Sequence, residues 1–259
     1  AAGFNTALRF LLYDPECQAF WLLHNDALPE AYTLEALLRH TAEQDRHGNE
    51  TLTHIGIVGS TLLRQDTDLV QCAGGGTWNR WRGTVRLLDE GMERFALTDR
   101  KDVVRRLDFA CGASCLVLRP LIEDIGLYDE ALYLFFEDVE YGLRARRAGW
   151  SINWAPGALV RHHAPNADKL TPVLAFTEDP DLNREADYTM LRNRFYLLRR
   201  YAPFSLPAAF AALPFMLGTR FCRNQKRRLT LLIRAARDGV TLRMGRPKIP
   251  AHREPACCD

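Results

Sequence analysis

Two neighbouring stretches decide the fold: Leu107-Asp108-Phe109-Ala110-Cys111-Gly112-Ala113-Ser114-Cys115-Leu116-Val117-Leu118, and Phe135-Phe136-Glu137-Asp138 running on to His162. The first is a mostly apolar run with Gly112 at its centre, which predicts a strand, a tight turn and a second strand. In the second, a helix is expected from Glu137-Asp138 through Arg147. Acids fill its first turn, arginines its last, and Gly149 follows as a stop. Ser151-Ile152-Asn153-Trp154 then reads as a strand, Pro156-Gly157 as a turn, and Leu159-Val160-Arg161-His162 as another strand. Strands alternating with helices within some fifty residues argue an α/β protein.

The same alternation extends upstream. Ala19-Phe20-Trp21-Leu22-Leu23 is an apolar strand that stops at His24-Asn25-Asp26, and a helix is expected over Ala31–Thr41. Ile55-Gly56-Ile57-Val58-Gly59 reads as a short buried strand, and Gly74-Gly75-Gly76 as the start of a polar loop with Trp78 and Trp81. Leu121–Ile125 reads as a helix or turn.

The 259 residues, 47% hydrophobic and 25% charged, exclude a disordered or fibrous chain and suffice for a large core. The net charge of +2 is uninformative, but its distribution is not. Arg192–Arg237 holds 11 basic residues and no acid, leaving about −10 on residues 1–191. An acidic body followed by a basic tail asks for an anionic partner near the C-terminus. The seven scattered cysteines form no paired zinc-ligand pattern and read as reduced thiols of a cytosolic protein. Ala1–Arg9 has no basic start followed by an apolar core, so no signal peptide is expected there.

Three constellations stand where open α/β sheets place their ligands, at strand ends. Asp26 can hold a hard cation that also grips phosphate oxygens, or it can cap the following helix. Glu137-Asp138 can contain a general base tuned by burial and like charge, or it can be a charged first helical turn. His162-His163 can include a metal ligand, or be a polar surface pair. Gly74-Gly75-Gly76 lacks the Lys-Ser/Thr ending of a phosphate loop and reads better as a flexible turn. Cys111-Gly112-Ala113-Ser114-Cys115 contains no nucleophile elbow; its small residues would let a substrate approach the backbone.

Taken in order, these motifs form a series. It runs Leu22–Asp26, Gly56–Gly59, Gly74–Gly76, Phe109–Ala113, Ile125–Glu130, Phe135–Tyr141, Arg144–Trp150 and Pro156–His162. The series resembles the family 2 glycosyltransferases of the GT-A fold, particularly their bacterial rhamnosyltransferase-like branch, over roughly residues 3–245. The most specific part is Gly112–His162.

The resemblance implies a Rossmann-like α/β fold with a mixed central sheet and flanking helices. It also implies about two further nucleobase-binding strands ahead of Ala1, so the domain is expected to be N-terminally incomplete. The catalytic domain is expected over 1–185, with a basic, apolar helical region over 186–259. Asp26 would hold a Mg²⁺ or Mn²⁺ ion on a sugar-nucleotide diphosphate, with Asn25 beside it and His162 completing the site. His24 stands where the family has Asp or, in this branch, Asn, so the metal would rest mostly on Asp26. Asp138 would be the general base and Glu137 would shape acceptor binding. Gly112 and Ala113 would line the donor and acceptor sugars. Arg192-Asn193 matches a Tyr…Arg-Asn pattern of the branch, with Arg192 within reach of a phosphate.

The expected reaction is an inverting transfer from a nucleoside-diphosphate sugar, dTDP-rhamnose favoured, to a cell-envelope glycan or lipid-linked acceptor. The alternatives are an inactive remnant that binds membrane or a partner, and a glycoside hydrolase with paired acids. Ala202–Thr219 carries no charge and three prolines, which argues against a straight spanning helix. With its basic flanks it reads as a segment lying on an anionic membrane surface, or as a helical hairpin on the catalytic domain. The expected location is the cytoplasm, peripherally at the inner face of the cell membrane. No nucleic-acid module is recognisable.

Overall fold

The computed structural model describes residues 1–46, 54–97, 101–163, 184–222 and 226–247. The Arg223–Gln225 part of the basic run and the Cys257-Cys258 pair lie outside the described residues. The chain divides into two compact units. The first takes in the described residues up to His163, except for two short segments, Arg80–Gly83 and Ala131–Phe136. Those segments belong to the second unit, with the C-terminal helices.

The first unit is built on a mixed sheet of six strands: β1 (Ala19–Leu23), β2 (Ala27–Pro29), β3 (Ile55–Arg64), β4 (Val70–Ala73), β8 (Ser114–Leu118) and β9 (Ser151–His162). Their order is β1-β8-β3-β9-β2, with β4 also paired to β3. β3 runs parallel to β9; the other pairs are antiparallel. Nine of the ten residues of β3 are buried, as a central strand covered on both faces requires. A second sheet joins β5 (Gly75–Asn79) to β6 (Thr84–Leu87) and β7 (Phe109–Ala110). The helices of this unit are α1 (Ala2–Leu11), α2 (Thr33–Arg46), α3 (Lys101–Arg106), α4 (Arg119–Ile125) and α5 (Glu137–Arg147). Leu8, Phe20, Ile57, Val117, Leu121, Tyr141 and Trp154 pack in one core between sheet and helices.

Two sequence expectations need correction. Gly75 and Gly76 open strand β5 and Gly74 is the bend that joins it to β4, so the run is no flexible loop. A Cβ on Gly75 would lie 2.0 Å from the Phe109 carbonyl oxygen, and one on Gly59 would lie 2.1 Å from that of Gly74. These glycines allow backbones to touch. Pro156-Gly157 does not separate two strands either. β9 runs unbroken through it, and the irregularity appears as a register shift against β3 between Ser60 and Thr61.

Helix α5 is fixed from inside. Glu140, fully buried, pairs with Arg144 one turn on at 3.0 Å, and Arg144 also donates to the carbonyls of Ile125 and Leu127 at 2.5 and 2.8 Å. The guanidinium thereby ties the helix to the loop before it.

The second unit holds α6 (Arg184–Tyr201), α7 (Leu206–Cys222) and α8 (Lys226–Val240). The uncharged stretch is helical despite its prolines. Pro207 sits in the first turn, where it is tolerated, and only Pro214 lies inside α7. Pro203–Cys222 is long and apolar enough to cross a membrane by length and composition. Two of the arginines around it face inward. Arg220 and Arg228 are buried, 3.8 and 2.8 Å from the Asp187 carboxylate, and are unavailable to headgroups.

Candidate active site

β1 ends at Leu23 and β2 begins at Ala27, so His24-Asn25-Asp26 forms the turn between them. Asn25 and Asp26 are exposed there. β2 pairs with the end of β9 in a register that sets Ala27 opposite His162, and the His163 N–H donates to the Asp26 carbonyl at 3.0 Å. Strand pairing thus carries His162 to Asp26 across 136 residues of sequence. The His162 Nε2 lies 3.4 Å from the Asp26 Oδ1 and the His24 Nδ1 lies 3.8 Å from it. One donor atom from each of the three side chains falls within 4.8 Å of the others.

The His162 ring is oriented. Its Nδ1 meets the Gln71 side-chain oxygen at 2.9 Å, so Nδ1 carries the proton and Nε2 offers its lone pair towards Asp26. Burial holds its pKa below the ordinary imidazole value, against the opposing pull of Asp26, and leaves the ring neutral at pH 7. Two imidazoles and a carboxylate are a donor set that fits a divalent ion.

The second half of the site is Asp138. Its Oδ2 accepts the Gly112 N–H at 3.2 Å and its Oδ1 the Val139 N–H at 2.8 Å. Both bonds favour the ionised carboxylate, yet burial and then the neighbouring charge of Glu137 outweigh them. Its pKa is pushed up to about 7. The buried Oε2 of Glu137 has no hydrogen-bond partner among the described residues.

Gly112-Ala113 links the two halves. While Gly112 holds Asp138, the Ala113 carbonyl accepts the His24 N–H at 3.0 Å. The dipeptide is therefore the backbone bridge between the carboxylate of α5 and the His24–Asp26 turn. A Cβ on Gly112 would stand 3.5 Å from that of Asp138, an ordinary contact, so the glycine leaves room for about a methyl group beside the carboxylate. The neighbouring Cys115 is no nucleophile, because burial pushes its thiol up to about 12.

Three residues escape the sequence reading. Gln71 orients His162 from β4, and Phe4 of α1 stacks on the His24 ring at 5.7 Å with 22° between planes. Asn5 fastens α1 to the Tyr128 backbone through both amide atoms, at 2.8 and 3.0 Å. None stands at a strand end, where the acids gave the signal.

Arg192 lies in the second unit and is 1% exposed. Its guanidinium donates to the Asn193 side-chain oxygen at 3.0 Å and to the carbonyls of Gly245 and Leu132 at 2.5 and 2.9 Å. Asn193 directs its amide to the carbonyls of Leu132, Leu134 and Phe135 at 3.0, 2.9 and 2.8 Å. The pair closes the 131–136 loop, where Tyr133, Phe135 and Phe136 all have left-handed φ near +65°. Each nitrogen of this fork already donates within the second unit, and its burial there does not present it to the phosphate expected of Arg192.

The model of the glycosyltransferase-like family 2 matches residues 17–185, and the chain belongs to that family. Its sheet and flanking helices agree with the GT-A fold. Two curated relatives are N-acetylglucosaminyl-diphospho-decaprenol L-rhamnosyltransferases of Mycobacterium tuberculosis, from strains CDC 1551 / Oshkosh and ATCC 25618 / H37Rv. Each is 32% identical over 69 residues, which is 27% of this chain and 22% of the relative. The aligned part is thus about a fifth of the relatives' length.

Proposed function

We propose that this protein is an inverting glycosyltransferase acting on a nucleoside-diphosphate sugar, dTDP-rhamnose by preference, with a cell-envelope glycan or lipid-linked glycan as acceptor. One observation carries the reading. The Gly112-Ala113 dipeptide holds Asp138 through the Gly112 N–H and the His24–Asp26 turn through the Ala113 carbonyl. A proton acceptor and a diphosphate-side cluster therefore share one rigid support.

Ionised Asp138 accepts the proton of the acceptor hydroxyl as that oxygen bonds to the anomeric carbon. The bond from that carbon to the nucleoside diphosphate breaks on the opposite face, and the electron pair leaves with the diphosphate. Glu137 orients the acceptor through its unsatisfied oxygen. Asp26 and His162 would hold a divalent cation, Mg²⁺ or Mn²⁺, which when bound would supply positive charge to the leaving diphosphate. Asn25 borders the donor, and Gly112 and Ala113 leave room for the sugars.

The lipid-linked acceptor is favoured by α7. Phe210, Phe215 and Phe221 of this helix, and Phe204 just before it, are all exposed in a segment with no charge before Arg220. We place this surface on the inner face of an anionic cell membrane, with the protein otherwise cytoplasmic. Sedimentation with phosphatidylglycerol vesicles, lost in Phe215→Ser, tests that placement.

The transfer itself is tested by incubating the chain with dTDP-rhamnose, UDP- and GDP-sugars and Mn²⁺, with a polyprenyl-diphosphate-linked N-acetylglucosamine as acceptor. Nucleoside diphosphate release with inverted product stereochemistry, abolished in Asp138→Asn, is expected. Turnover in Asp138→Asn equal to the wild type would remove the base assignment.

A further inference from the structure

His24 stands one residue before Asn25 in the turn where the family resemblance places an Asp or Asn, and an imidazole differs from both in donor chemistry. Its backbone is pinned by the Ala113 carbonyl at 3.0 Å, and its ring is stacked on Phe4. The ring centroid is 6.1 Å from that of His162. The Nδ1 of His24 and the Nε2 of His162 approach the same oxygen of Asp26, at 3.8 and 3.4 Å. Two ligands each about 2.1 Å from one ion at a tetrahedral angle are separated by about 3.4 Å. Both histidine-to-Asp26 separations already stand close to that spacing, and all three donor atoms lie within 4.8 Å of one another. His162 is in addition held by Gln71 in the tautomer that leaves Nε2 free to ligate.

We propose that His24 is a third protein ligand of this cluster, making it a two-histidine, one-carboxylate site selective for borderline transition ions such as Mn²⁺, Co²⁺ or Zn²⁺ over Mg²⁺. The inference names the metal class of the site on which the proposed transfer rests. The selectivity follows from the donors. Mg²⁺ prefers oxygen in a strict octahedron and keeps its waters, whereas imidazole nitrogen suits the later first-row ions. Replacing one ligand oxygen by nitrogen therefore weakens Mg²⁺ and strengthens the others. The Phe4 ring stacked on His24 covers one face of this ligand with apolar surface.

The test uses calorimetric titration of the full chain with MnCl₂, CoCl₂ and MgCl₂, with visible absorption of the Co²⁺ form as a direct report of ligation. The wild type is expected to bind one Co²⁺ at least about tenfold more tightly than Mg²⁺. His24→Asn should weaken Co²⁺ by about tenfold or more, change its absorption band, and leave Mg²⁺ within about twofold. His24→Asp should narrow the Co²⁺-to-Mg²⁺ preference by strengthening Mg²⁺. Both substitutions fall on a partly exposed turn, and thermal melting verifies that each variant is folded. Co²⁺ affinity and spectrum unchanged in His24→Asn would overturn the assignment. If dTDP with Mn²⁺ still bound in an Asp26-dependent manner, the transferase reading would survive that result. Absence of Asp26-dependent binding of any of the three metals, with or without dTDP, would overturn both.

Discussion

Asp138 receives the Gly112 amide hydrogen on one carboxyl oxygen, 3.2 Å away, and that of its own neighbour Val139 on the other. Two amide donors would ordinarily keep an aspartate ionised well into acid. Here burial and the adjacent Glu137 prevail and bring the group to about 7. A carboxyl in that range is half ionised at neutral pH, which suits a proton acceptor working there.

The first prediction concerns the rate. kcat/KM should rise from pH 6 to 8 along a limb centred near 7. Glu137→Gln removes the like charge and should move the limb to lower pH. A pH–rate profile of both proteins checks this, and an unmoved limb would assign the rise in Asp138 to burial alone.

Stability should run the other way. A carboxyl whose pKa is raised on folding binds more protons folded than unfolded, so its contribution is fully present at low pH and is lost as pH rises towards 7. Asp138→Asn abolishes that loss. Relative to the wild type, the variant should gain at least ~1 kcal/mol in urea melts at pH 8 over its value at pH 4. An identical difference at both pH values would contradict the raised pKa.

Glycines in the site and in the sheet should respond differently to a methyl group. At Gly112 the added carbon meets Asp138 at 3.5 Å, an ordinary contact. Gly112→Ala should melt within a few degrees of the wild type but raise KM for the acceptor. Gly59→Ala drives a carbon to 2.1 Å from the Gly74 oxygen and should cost about 3 kcal/mol or more. Differential scanning calorimetry separates the two outcomes.

Asn193→Asp keeps the shape and the acceptor for Arg192, but replaces an amide that serves three carbonyls with a carboxylate facing them. Loss of the donor and the new repulsion should cost about 2–4 kcal/mol in chemical denaturation. A cost near zero would mean that the loop keeps its left-handed residues without this amide.

Much of this architecture was legible because apolar runs stop at polar groups. Ala19–Leu23, Ser114–Leu118 and the helix from Glu137 to Arg147 all lie where period and end signals put them. The acids at strand ends were visible for the same reason. β5 was not, since a run of glycines has the composition of a turn whether it bends or permits close packing. Gln71 was hidden because its role arises from strand pairing, which brings it to a histidine 91 residues away. Phe4 and Asn5 act from a helix whose sequence carries no functional signal. Arg192 shows the limit of reading charge from composition, for a buried guanidinium surrounded by carbonyls looks in sequence like one awaiting phosphate.

The Asn193 amide also bears on where this protein can be cut. The family region ends at residue 185, and a gene trimmed there would retain Leu132, Leu134 and Phe135 but lose the side chain that collects their carbonyls. Phe136 is one peptide bond from Glu137, so the loosened segment would lead straight into the acids that open α5. Trimming from the C-terminus is therefore expected to release the 131–136 segment before it reaches the signature's edge.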